Sequence, residues 1–85
     1  MERRERQYRG ISTRAALGYL EGLGGERVDD ATVEGDGWRV SITADRVSVG
    51  PSLELTELTV RFEGDPATLD SLVEEFSWKA MRAGG

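Results

Sequence analysis

The chain has 85 residues, with 16 acidic against 11 basic side chains, a formal net charge of −5, no cysteine and no histidine. That length supports one domain with a core of modest size, and the two missing residue types exclude disulfides, thiol nucleophiles, Cys or His zinc sites and Ser-His-Asp catalysis. Lys79 is the only lysine, and an acid-rich, Lys-poor, Gly-rich composition suits a halophilic archaeal protein, because concentrated salt screens the repulsion among carboxylates.

In chain order, Met1 to Arg9 alternates Arg3, Arg4, Arg6 and Arg9 with Glu2 and Glu5. A basic arm for nucleic acid would need aromatic interleaving and a basic overall field, and neither is present. Residues 1–6 are expected to fray, with a short strand over Gln7 to Ile11. Ser12 or Thr13 can cap a first helix that runs to Leu23 and stops at Gly24-Gly25. Ala16, Tyr19, Leu20 and Leu23 share its apolar face, and Gly18 and Gly22 suggest close packing on a sheet. Period-two alternation follows. Ala31 and Val33 lie on one face of a strand beginning near Arg27. Gly35-Asp36-Gly37 offers turn chemistry, and Trp38, Val40, Ile42 and Ala44 share the next apolar face. A tight turn near Ala44-Asp45 would set Val47 opposite Ile42 and Val49 opposite Val40. Gly50-Pro51-Ser52 turns the chain again. In the last strand Leu53 and Leu55 keep one parity while Leu58, Val60 and Phe62 keep the other. A β-bulge around Thr56-Glu57 accounts for the slip, the alternative being that Leu53 and Leu55 project from the opposite face.

Asp65-Pro66 then opens a long helix. At 100° per residue Leu69, Leu72, Val73, Phe76 and Ala80 form one stripe, whose four large side chains contribute at most about 6–12 kcal/mol on burial. Trp78 points away from that stripe. Residues 83–85 read as a flexible tail. The pattern is a single α+β domain over residues 1–85, β-α-β4-α, in which a curved, mostly antiparallel sheet is covered by the C-terminal helix, as in TBP-like or helix-grip folds. No apolar run reaches the length of a membrane span or signal peptide, so a cytoplasmic location is expected.

The runs Tyr8-Arg9-Gly10-Ile11-Ser12-Thr13-Arg14, Tyr19-Leu20-Glu21-Gly22-Leu23-Gly24-Gly25 and Gly35-Asp36-Gly37-Trp38 resemble the C-terminal domain of MoaD-related proteins. That module is named for its fusion to a sulfur-carrier domain of molybdopterin biosynthesis. The resemblance implies a TBP-like fold and an association with molybdenum-cofactor or sulfur-carrier biology, and it supplies no catalytic residues.

Among candidate sites, Trp78 and Met81 stand on the polar face of the long helix, where they could anchor a protein partner or a second copy. The terminal Gly84-Gly85 resembles the tail of sulfur carriers and ubiquitin-like modifiers, whose bare carboxylate must thread into an adenylating enzyme. Trp38 reads as core. The pairs Asp29-Asp30 and Glu74-Glu75 do not converge: neighbours in a strand face opposite ways, and helical neighbours diverge by 100°. Arg39, Arg46 and Arg61 are expected to make cross-strand ion pairs. Three functions are compatible with this inventory. A non-enzymatic binding or accessory domain without cofactor or metal comes first, a carrier acting through Gly85 second, and a small-ligand site between helix and sheet third.

Overall fold

In the computed structural model, which describes the backbone of residues 1–84 and the side chains of 1–82, the chain runs β1 (Glu2–Arg9), α1 (Thr13–Gly22), β2 (Glu26–Asp29), β3 (Thr32–Gly35), β4 (Trp38–Gly50), β5 (Leu53–Gly64) and α2 (Pro66–Gly84). The five strands form one antiparallel sheet in the order β1-β5-β4-β3-β2. Even-numbered positions of the central pair point inward. Val40 and Ile42 of β4 lie opposite Phe62 and Val60 of β5, Trp38 and Leu58 extend the same face, and all six are buried. Both helices cover this face. Ser12 caps α1 by accepting the Ala15 N–H at 3.1 Å, which satisfies one of the donors a helix start leaves free. Ala16, Leu17 and Leu20 of α1 are buried. Asp65 begins α2, its carbonyl accepting from the Leu69 N–H at 2.9 Å, and Leu69, Leu72, Phe76 and Ala80 pack inward with Val73 at the margin.

Phe76 is the hub of this core. Tyr8, Tyr19 and Phe62 meet its ring edge-to-face at centroid distances of 5.1, 6.1 and 5.8 Å, the arrangement favoured by the aromatic quadrupole. Tyr8 also bonds Ser77 through its hydroxyl at 2.8 Å, tying β1 to α2. Burial raises the Tyr8 pKa above its usual value, partly offset by that bond.

Four sequence expectations are corrected. Residues 2–6 do not fray: β1 pairs along β5 from Glu2 opposite Gly64 to Arg9 opposite Glu57. Cross-strand pairs Arg3–Glu63, Glu5–Arg61 and Arg9–Glu57 line its outer side, and Arg4 reaches Asp70 of α2. The segment after α1 is two strands, not one, because Asp29 closes a turn by accepting the Ala31 N–H at 2.8 Å; that bond, then one from Thr32, holds its carboxyl below the usual range. Conversely, no turn interrupts Ala44-Asp45, and β4 continues for 13 residues. The two errors cancel in the strand count. Finally, pairing between β4 and β5 is unbroken through Thr56 and Glu57, and its one irregularity lies between Ser48 and Gly50. Leu53 and Leu55 therefore do occupy the opposite face. A smaller expectation also fails: Gly18 faces open space, and a Cβ on Gly22 would meet only the Lys79 Nζ at 3.9 Å.

Past the covered region the central hairpin continues alone. The last β3 contact is the Ile42 N–H donating to the Ala31 carbonyl at 2.8 Å, and β1 reaches no further than the Gly10 N–H on the Thr56 carbonyl at 3.3 Å. Among the described residues, from Thr43 to the Gly50-Pro51-Ser52 turn and back to Leu55, β4 and β5 pair only with each other. This arm contributes to a long dimension of 43 Å against 23 and 22 Å for the other two.

Candidate functional site

The inward stripe of α2 fixes where its remaining side chains can go. Trp78 follows Phe76 by two residues, a rotation of about 200°, and Phe76 is fully buried. The indole is thus carried to the solvent side, where 60% of Trp78 is exposed, and Met81, one turn on, is 72% exposed. Leu23, the C-terminal cap residue of α1, packs at the margin of the core. Between it and Trp78 lies a shallow depression of about 250 Å³, completed by Glu75, Lys79 and Arg82. An apolar floor rimmed by charges of both signs is the make-up of a protein-docking patch. The helical angle of Trp78 was enough to anticipate its exposure. Leu23 was not anticipated here, since only the packing of α1 beside α2 brings it near.

The other candidates are placed elsewhere. Gly84 closes α2 as helix, and Gly85 lies outside the described residues. Trp38 is buried, its ring laid across Gly35 so closely that a Cβ there would sit 2.1 Å from the indole. A second depression, of about 440 Å³, opens beside it between Glu34, Gly37, Arg39 and Glu63. Arg39 pairs with Glu34 at 3.2 Å and Arg61 with Glu5 at 3.0 Å, while Arg46 stands on the projecting arm. Glu74 and Glu75 are exposed on α2, and Asp30 is exposed beside the turn-forming Asp29. Phe76, Phe62, Val60 and Leu69 fill the space between α2 and the sheet, each fully buried. Among the described residues, no helix is long and apolar enough to cross a membrane.

A family model described as Archaeal MoaD-like protein matches residues 4–85. No curated protein matches the chain.

Proposed function

The chain belongs to the archaeal MoaD-like family, and from that premise we propose that it is a small non-enzymatic accessory domain that docks a protein partner through Trp78 and Met81. One observation carries this reading. The largest side chain type in the sequence is held 60% exposed, with Met81 at 72% one turn on, on a helix whose Leu69, Leu72 and Phe76 are buried, next to an apolar hollow that reaches Leu23. Aromatic side chains in such positions dominate binding energy at interfaces. Arg3, Glu5 and Arg9 of β1 are engaged in cross-strand pairs with Glu63, Arg61 and Glu57 of β5, which leaves fewer charges on that face to converge on a bound substrate.

The resemblance to a module found fused to a sulfur-carrier domain makes a MoaD-type sulfur-carrier protein the first partner to test. Calorimetric titration with such a carrier should give saturable heat. Trp78→Ala, with an unchanged circular dichroism spectrum, should weaken it by about 2 kcal/mol or more, roughly 30-fold in Kd. Titrations with MoaD-type carriers that yield no saturable heat, or a variant that binds as well as wild type, would remove the reading.

A further inference from the structure

The arm formed by β4 and β5 has a bare edge and a bare apolar stripe, and the two features share one self-complementary solution. Alternate residues of β4 direct their backbone groups toward the β3 side, as the Ile42 N–H does in reaching the Ala31 carbonyl. Ala44, Arg46 and Ser48 continue that series where β3 has ended, so among the described residues their N–H and C=O groups have no strand to pair with. Such an edge is a template for a further strand. On the outer face of the same arm Val47 lies opposite Leu55, flanked by Val49 at 42% and Leu53 at 55% exposure.

We infer that Ala44–Gly50 of β4 pairs antiparallel with the same stretch of a second copy, about a two-fold axis at Val47, joining the two sheets into one. A two-fold axis normal to the sheet keeps equal faces together, so each residue on the axis faces itself and only a few registers exist. Centring on Asp45 sets two carboxylates face to face, and centring on Arg46 does the same with two guanidinium groups. Like charges directly opposite are destabilising. Centring on Val47 opposes Val47 to Val47, Arg46 to Ser48, Asp45 to Val49 and Ala44 to Gly50, with no like-charge pair. In this register the Val47 pair lacks mutual backbone bonds, the type in which side chains approach most closely. It also merges the Val47, Val49, Leu53 and Leu55 stripes of both copies into one patch. The span fits the space available, since β3 occupies the edge up to Ile42 and the turn begins at Pro51. This surface is separate from Trp78.

Light scattering behind size exclusion should return twice the chain mass for the wild type and for Trp78→Ala. Val47→Lys, which sets two ammonium groups against each other, should give the monomer. Arg46→Pro should do the same, because it removes a donor aimed at the free edge and none aimed at β5. Far-ultraviolet circular dichroism should be unchanged in both. An equal mixture of Val47→Lys and Val47→Asp should recover the double mass. In this cysteine-free chain, Val47→Cys should cross-link on oxidation and Arg46→Cys should not. A wild type that stays monomeric at its highest soluble concentration overturns the proposal. So does a dimer that survives both folded variants, one lost with Trp78→Ala, or cross-linking favoured at Arg46→Cys.

Discussion

The near and far halves of the β4–β5 hairpin obey the same alternation with opposite results. In the near half the apolar residues are even-numbered, Val40, Ile42, Leu58, Val60 and Phe62, and two helices bury them. In the far half they are odd-numbered, Val47, Val49, Leu53 and Leu55, and lie on the face the helices do not cover. Period-two patterning alone therefore does not say what is core. What decides is whether another element of the chain reaches that face, and here the change of parity marks where cover ends.

The contrast can be broken hardest at its covered end. Phe76→Ala removes the ring that three aromatics contact, and a loss of about 3–5 kcal/mol in urea unfolding is expected, enough to unfold much of a domain this small. Gly35→Ala comes next. Its Cβ would collide with the Trp38 ring, and since β4 holds that indole against the core the relief must come from several atoms. Overpacking of this kind costs about 1–3 kcal/mol, with red-shifted Trp38 emission as the accompanying sign. At the far end Leu53→Ser should change monomer stability by no more than about 0.5 kcal/mol, measured at low protein concentration. A loss of several kcal/mol there would mean the arm is part of the core after all.

The helix faces were legible because their signals are local. Asp65-Pro66 announces α2, its stripe is inside, and Trp78 could be placed outside from angle alone. The strand boundaries were less legible because their determinants are not local. The turn between β2 and β3 is made by Asp30 and Ala31, between the paired Asp29 and Thr32 and without a glycine, held by a side-chain bond that composition does not reveal. Asp45 looked like a turn residue, yet an exposed arm can carry it in mid-strand. The parity slip was visible, but a bulge and an uncovered hairpin write the same pattern, and only the position of the helices separates them. The free edge of β4 was illegible for a related reason: it depends on where β3 stops.

The place of β1 also bears on how the chain finds its structure. Its partner is β5, and Arg9 meets Glu57 across 48 positions, whereas β4 and β5 meet through a tight turn. Closing the larger loop costs more entropy before any contact repays it. Glu2–Arg9, the first of the five strands in chain order, must therefore wait for β5, the last of them, before it can pair. Refolding should show the central hairpin protected from hydrogen exchange early and Glu2–Arg9 protected last.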